Sequence, residues 1–196
     1  PFLLYLSYYN IHTPIQAYKK RIGHYVSKAE KSFEGKTPTR PEHEGKTRMR
    51  QDNPALASMV AAVDDSVGAL TAKLDELGLS DNTVIIFFSD NGGLSTSEGH
   101  PTCNLPFRAG KGWLYEGGIR EPCLIALPGR DAGAKVSSIP ITSHDLLPTL
   151  LELCHLPPET KRPLDGQSLV PILLNEDVNW PRTDLYWHYP HYGNQG

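Results

Sequence analysis

Two adjacent oxygen donors, Asp90 and Asn91, follow directly after a short apolar run at 84–88. The run is rich in β-branched and aromatic residues, which is typical of a strand buried on both faces of a parallel sheet. In open α/β sheets, ligands bind beyond the carboxyl ends of the strands. A carboxylate and an amide oxygen at that place are ligands that a hard cation such as Ca²⁺ prefers. Taken alone, the same residues fit an ordinary turn better than a metal site.

A titratable side chain, His12, follows a second apolar run at 2–9, which predicts another strand. Pro14 biases Thr13 toward extended geometry and so fixes how the chain leaves that strand. Imidazole gains and loses a proton near neutral pH, which makes His12 a candidate acid or base. A single loop histidine is more often a surface residue, and this alternative stays open.

A compact cation, Lys111, lies between two glycines in the glycine-dense stretch 107–122. A lysine on a backbone that can approach a ligand closely suits the binding of a tetrahedral oxyanion. The stretch does not match a nucleotide P-loop, because the spacing and the Ser or Thr after the lysine are missing. The alternative is a flexible connector whose cations face solvent.

Two further histidines, His188 and His191, lie among aromatic residues near the end of the sequence. Aromatic rings with imidazoles are suited to lining a sugar or aryl site. A packed edge strand over 182–189 explains the same pattern equally well.

Strands and helices alternate around these candidates, which predicts an α/β fold. Three- and four-residue spacing of apolar side chains predicts a long helix over 54–79, with Gly78 as its stop signal. A short strand is predicted at 123–127. Thr142 and Asp145 have the spacing of a capping box before a helix at 146–154, so His144 and Asp145 are interpreted as cap residues.

The composition is that of an ordinary globular chain, with 196 residues and a formal net charge of −3. Basic residues outnumber acids over 17–53, which predicts a surface excursion that is partly helical and partly loop. This segment either attracts an anionic polymer or is merely solvated. No apolar run is long enough to predict a membrane span.

The sequence opens on the strand-like Pro1-Phe2-Leu3-Leu4 without an initiator methionine. We expect an internal fragment, in which the absence of a targeting signal carries no information about location.

Four motifs, in this order, resemble the type I, formylglycine-dependent sulfatases of the alkaline-phosphatase superfamily. They are Tyr9-Asn10-Ile11-His12-Thr13-Pro14, Ser89-Asp90-Asn91-Gly92, Gly110-Lys111-Gly112 running into Tyr115-Glu116-Gly117-Gly118-Ile119-Arg120-Glu121-Pro122, and Asp145-Leu146-Leu147-Pro148-Thr149. The ending Trp187-His188-Tyr189-Pro190-His191-Tyr192 looks like that of bacterial arylsulfatase-like proteins.

The resemblance implies a role for most of the candidates. Asp90 and Asn91 would be two ligands of an active-site calcium, and Lys111 would contact the sulfate group. His12 would bind beside the sulfate and donate a proton to the leaving alcohol. His188 and His191 are substrate-binding candidates because of their aromatic surroundings and not because of the resemblance. Related phosphatases commonly carry Asp-His at this strand end for zinc, so Asn91 favours the sulfatase branch.

The resemblance also has gaps. The formylglycine motif, Cys/Ser-x-Pro-x-Arg, is absent, since the proline after Cys103 comes one place too late. The paired N-terminal aspartates of the family's calcium site are missing as well. Calcium takes about six to eight oxygens, which two side chains cannot supply. We therefore expect the isolated chain to be inactive and to bind calcium weakly at best.

The implied fold is a three-layer mixed sheet, with 1–178 as the C-terminal half of the catalytic core and 179–196 as the start of a smaller subdomain. The implied substrate is an aryl or carbohydrate sulfate ester, with no nucleic acid partner and a periplasmic or extracellular location in a bacterium. Two alternatives stay open: a phosphate or phosphonate ester hydrolase or transferase of the same superfamily, and a non-catalytic module that binds anionic glycans.

Overall fold

The structure is a computed structural model that describes residues 1–129, 133, 135–158, 162–174 and 179–190. The chain divides into two compact units, one of 1–131 with 188–196 and one of 132–187. The helices and strands are α1 Ile22–Ser32, β1 Thr39–Glu42, β2 Gly45–Arg48, α2 Pro54–Glu76, β3 Ile85–Phe88, α3 Glu116–Ile119, β4 Cys123–Ala126, α4 Leu146–Leu153 and α5 Val170–Leu174.

The long helix predicted from apolar spacing is confirmed as α2. Asn53 caps its N-terminus, since the side-chain oxygen accepts hydrogen bonds from the N–H groups of Ala55 and Leu56 at 3.1 and 3.2 Å. Gly78 follows the helix with a φ of 64°, the left-handed conformation that glycine adopts without strain. The buried side chains of α2 include Leu56, Met59 and Leu74.

By length and composition alone, α2 is also apolar enough to cross a membrane, with a mean hydropathy of 1.3 over its best 18-residue window. The sequence prediction of no such segment was therefore too strict. One helix of this kind is weak evidence for a span, because the core helix of a soluble protein passes the same test.

Asp65 of α2 is paired with Arg21 at 2.5 Å and receives a hydrogen bond from Tyr18 at 3.1 Å.

The strand before Asp90 is confirmed as β3, but its predicted parallel pairing is wrong among the described residues. β3 pairs antiparallel with β4, with Ile85 opposite Ala126 and Phe88 opposite Cys123. Most of β3 is half-buried rather than buried on both faces. An apolar run indicates a strand, whereas its pairing partner and the direction of that partner depend on residues far away in the sequence.

The strands predicted at 2–9 and 182–189 do not form among the described residues. Both segments lack ladder pairing, and several apolar side chains in them are exposed, including Leu3, Tyr5 and Tyr186. A β-prone segment becomes a strand only when its N–H and C=O groups pair with a neighbouring strand.

The basic segment 17–53 is more ordered than a solvated insertion would be. It holds α1, which packs against α2, and an antiparallel hairpin of β1 and β2. Arg48 pairs with Asp52, and the N–H of Arg48 donates to Ser95 O at 2.9 Å. The hairpin is therefore attached to the segment that follows the Asp90-Asn91 strand end.

The second unit is built around the helix start predicted from Asp145. Asp145 is the last residue of a short 3₁₀ turn, and its Oδ2 accepts the Thr142 N–H at 2.7 Å, as in the predicted capping box. Its side chain is fully buried and is also paired with Arg182 at 2.6 Å. Asp145 is a cap residue here, as predicted, whereas the exposed His144 side chain makes no capping bond to a backbone group among the described residues.

Candidate active site

Glycines hold the Asp90-Asn91 strand end against the lysine loop, 107–122. A Cβ on Gly92 would lie 1.8 Å from the carbonyl oxygen of Gly117, so only glycine fits there. The Gly92 N–H donates to Gly118 O at 3.2 Å, and the Lys111 N–H donates to Gly93 O at 3.2 Å. The glycines thus serve close backbone packing, and the alternative of a flexible connector does not describe this loop.

His12 and Lys111 are far apart in sequence, and the fold brings their side chains into contact. Nζ of Lys111 lies 2.8 Å from Nε2 of His12. His12 is exposed and Lys111 is half-buried, so an ester in solution reaches both. Lys111, which was predicted to bind an oxyanion, and His12, which was predicted to transfer a proton, are therefore neighbours.

The contact fixes the proton position on the imidazole. A lysine ammonium has only donors, so Nε2 of His12 must accept this hydrogen bond. The ring proton is then on Nδ1, which lies 2.8 Å from Thr13 O and donates to it. His12 is held in one neutral tautomer with Nε2 directed at the cation.

A further carboxylate, Glu98, supports this corner of the site. The Thr13 hydroxyl donates to Oε2 of Glu98, and the same hydroxyl lies 3.4 Å from Nδ1 of His12. Glu98 has a φ of 49°, so the polar stretch after the strand end turns back sharply at this residue. Glu98 is the only acid between Asp90 and Glu116, and no motif in the sequence assigned it a role.

The predicted metal ligands lie side by side, with Nδ2 of Asn91 donating to Oδ1 of Asp90 at 2.7 Å. This bond orients the amide nitrogen toward the carboxylate and leaves the amide oxygen available as an acceptor. Asp90 is exposed and Asn91 is half-buried. No group of three or more His, Cys, Asp or Glu side chains with metal-binding geometry occurs in the part of the chain that the structure describes.

Glu121 is a third oxygen-bearing side chain near this pair, and the sequence analysis gave it no role. Its Oε1 is buried and has no hydrogen-bond partner among the described residues. Burial, and secondarily the charge of Asp90, raises the pKa of Glu121 to about 6. Unbalanced negative charge beside hard oxygen donors fits a divalent cation of the calcium type, although these oxygens alone are too few to enclose one.

We expect the Glu121→Gln substitution to stabilise the isolated chain at pH 7.5 and to have no such effect at pH 4. The Glu121 carboxyl has a higher pKa in the folded state than in the unfolded state, so the folded state binds the proton more tightly. The free energy of unfolding therefore falls as the pH rises from about 4.5 to about 6. The gain at pH 7.5 is about 2 kcal/mol at most, in the free energy of unfolding measured with urea.

Glu116→Gln is the matched control, because Glu116 is an exposed carboxylate on α3 of the same loop. We expect it to change stability by less than about 0.5 kcal/mol at either pH. A Glu121→Gln chain that is equally stabilised at both pH values, or destabilised at pH 7.5, would show that the charge of Glu121 is not the cause.

The predicted sugar or aryl site around His188 and His191 lies only partly within the described residues. His188 is exposed, and no hydrogen bond or ion pair between it and His12 or Lys111 occurs among the described residues. His191 lies outside the described residues. A surface groove of about 450 Å³ is lined by residues of 71–85 and 126–129, and by none of the predicted site residues.

Comparison of the sequence with known protein families gives one match. The sulfatase family model matches residues 1–156. The chain therefore belongs to the sulfatase family.

Curated relatives agree with this assignment. A sulfatase of Formosa agariphila is 34% identical over 148 residues, which cover 69% of this chain and 26% of that protein. Human arylsulfatase A is 38% identical over 133 residues, covering 68% of this chain and 25% of its own length. Rat steryl-sulfatase is 30% identical over 194 residues, which cover 96% of this chain and 29% of that protein. The chain thus spans between a quarter and a third of these relatives.

Solved structures share the fold. The crystal structure of Ps i-CgsB superimposes with a TM-score of 0.70 and 34% identity, covering 87% of this chain and 33% of that one. The same protein in complex with k-i-k-neocarrahexaose gives a TM-score of 0.66 and 32% identity, covering 84% of this chain and 31% of that one. The α/β prediction is confirmed at this level, while the described strands form two two-stranded sheets and no three-layer sheet.

Proposed function

We propose that the protein carrying this chain hydrolyses sulfate monoesters, and that His12 and Lys111 act on the ester at one place. The observation that carries the proposal is the 2.8 Å contact between Nζ of Lys111 and Nε2 of His12. Membership of the sulfatase family and relatives named as sulfatases support it. The complex of Ps i-CgsB with an oligosaccharide favours a sulfated carbohydrate over a small aryl sulfate as the natural substrate.

Lys111 is proposed to hold the sulfate group. A sulfate ester carries its negative charge on three non-bridging oxygens, and charge on them and on the bridging oxygen changes as the S–O bond breaks. A lysine ammonium fixed by the backbone of the glycine loop stabilises that charge without reorganising. The Lys111 side chain bonds His12 in this structure, so an arriving sulfate oxygen takes over the ammonium as its donor.

His12 is proposed to protonate the leaving alcohol. Once a sulfate oxygen accepts from Lys111, Nε2 of His12 is released and is free to bind a proton. The negative ester favours the cationic ring, which then donates from Nε2 to the bridging oxygen as the alcohol departs. Nδ1 keeps its bond to Thr13 O throughout, so the ring does not need to turn.

Asp90 and Asn91 are proposed to bind Ca²⁺ with a carboxylate and an amide oxygen. The donor types and the neighbouring carboxyl of Glu121 fit such an ion, and further ligands must come from residues other than these. When bound, calcium would withdraw negative charge from the sulfate oxygens. An Asp-Asn pair is a weaker match to zinc, which prefers imidazole and thiolate ligands.

The nucleophile of the proposed reaction is not among the 196 residues. The formylglycine motif does not occur in the sequence, so this group would be supplied by a part of the protein outside this chain. We also propose that 1–178 belongs to the three-layer catalytic core and 179–196 to a smaller subdomain. Substrate contact by His188 and His191, and a periplasmic or extracellular location, are parts of the same proposal.

We expect His12→Ala in the full-length enzyme to reduce kcat/KM about a hundredfold for an alkyl or sugar sulfate. The loss should be much smaller for 4-nitrophenyl sulfate, because nitrophenolate leaves without a proton. The measurement is a series of sulfate esters whose leaving groups differ in pKa. His24→Ala is a control on an exposed histidine of α1. An equal loss across the series would remove the acid role from His12.

A further inference from the structure

The hairpin of β1 and β2 carries a buried carboxylate that fixes two arginines. Glu42 is 6% exposed. Nε and Nη2 of Arg108 donate to its Oε1 at 2.9 and 2.7 Å, and Nη2 of Arg40 lies 3.5 Å from its Oε2. Two guanidinium groups share one carboxylate, so the cluster keeps one net positive charge.

Arg108 is fixed on two sides and still open to solvent. Its guanidinium carbon lies 3.9 Å from the centre of the Tyr115 ring, and its side chain is 47% exposed. Nη1 donates to none of the residues that the structure describes, in contrast to Nε and Nη2. A guanidinium that is already oriented loses little entropy when it binds an anion, which favours sulfate recognition at this place.

An aromatic surface adjoins the arginine. The ring of His43, at the hairpin turn, lies 4.7 Å from that of Trp113, and the Trp113 ring is stacked 6.0 Å from that of Tyr115. Trp113 is buried, whereas His43 is exposed and forms the outer face of the stack. Rings beside oriented polar groups are typical of sites that bind sugars.

The same loop carries Lys111. Arg108 precedes Lys111 by three residues, so their Cα atoms are at most about 11 Å apart. The Arg108 carbonyl accepts the Gly117 N–H at 2.8 Å, and the Lys111 N–H donates to Gly93 O at 3.2 Å. The two cationic residues therefore lie on one hydrogen-bonded backbone frame.

We propose that Arg108, with Arg40 and His43, forms a second anion subsite, which binds a sulfate group on a sugar next to the one whose sulfate contacts Lys111. The inference rests on the proposed function and adds a substrate class to it: a glycan with more than one sulfate. The basic hairpin, which the sequence left without a role, would then select such substrates.

The test compares kcat/KM of the full-length enzyme for a carrageenan oligosaccharide that carries several sulfates and for 4-nitrophenyl sulfate. Arg108→Gln should lower kcat/KM for the oligosaccharide at least about tenfold more than for the aryl sulfate, as expected for a lost hydrogen bond to a charged group. His43→Ala, which removes the exposed ring beside Trp113, should also lower the ratio of kcat/KM for the oligosaccharide to kcat/KM for the aryl sulfate. Arg120→Gln, on the same loop, should leave the ratio unchanged. Equal losses on both substrates, or none, would overturn the subsite.

Binding separates failure of the subsite from failure of the proposed function. Calorimetry of the full-length protein should give a lower Kd for the sulfated oligosaccharide than for its desulfated form, and Arg108→Gln should reduce that difference. If the wild type hydrolyses no sulfate ester but Arg108→Gln reduces this difference in Kd, the subsite stands and the hydrolase proposal falls. If it binds both forms equally, the subsite is wrong, whatever the activity.

Discussion

Lys111→Met in the full-length enzyme should reduce kcat/KM for sulfate esters about a thousandfold, with little change in thermal stability. The methionine keeps the length of the side chain and removes the only charge that contacts His12 Nε2 among the described residues. The loss should be similar for good and poor leaving groups, because the ammonium acts on the sulfate oxygens. This behaviour distinguishes Lys111 from His12, whose loss should depend on the leaving group.

Lys28→Met is the control for this prediction, since Lys28 is an exposed lysine on α1. It should retain full activity. Lys111→Arg should recover only part of the activity, because a planar guanidinium does not fit the place of a compact ammonium. A Lys111→Met enzyme that hydrolyses sulfate esters at the wild-type rate would remove Lys111 from the site.

Arg182→Met should reduce the free energy of unfolding by about 3–5 kcal/mol, the cost of leaving a buried carboxylate without its partner. Asp145 is 0% exposed, and Arg182 donates to its two oxygens at 2.8 and 2.6 Å. Two backbone N–H groups also donate to Asp145, but they carry no full charge. Urea unfolding followed by circular dichroism measures the loss. The exposed Arg162→Met is the control.

The pH dependence provides a second test of this pair. Burial alone would raise the pKa of Asp145, but the hydrogen bonds from Arg182 and the backbone outweigh it and lower the pKa below 3.8. The stabilising contribution is therefore complete above the unfolded-state pKa and is lost as the pH falls through the folded-state value. Arg182→Met should weaken this acid sensitivity. Unchanged stability in the Arg182→Met chain would show that the pair is not required for folding.

Features encoded by neighbouring residues were predictable from the sequence. The α2 helix and its Gly78 stop depend on local spacing and capping chemistry, whereas the Asn53 cap was found only in the structure. The end of β3 at Phe88 was predictable for the same reason, since an apolar run stops at Asp90-Asn91. The identity of the site residues came from motifs that combine a strand end with specific polar side chains.

Features that depend on distant residues were not predictable. The 2–9 segment has the composition of a strand, yet nothing local determines whether another strand pairs with it. The raised pKa of Glu121 arises from burial and from Asp90, which is 31 residues away. The Arg108–Glu42 pair likewise joins residues 66 apart. Charge counting over 17–53 could not show that Glu42 of its hairpin is buried and pairs with Arg108.

The central claim is sulfate ester hydrolysis by an Asp90-Asn91 calcium site acting with His12 and Lys111. The most direct measurement is kcat/KM of the metal-depleted full-length protein for 4-nitrophenyl sulfate and 4-nitrophenyl phosphate, after reloading with Ca²⁺ or with Zn²⁺. We predict that Ca²⁺ restores activity and that the sulfate ester is the better substrate. Activity restored by Zn²⁺ alone, with the phosphate ester preferred, would contradict the claim and assign the site to a phosphoesterase.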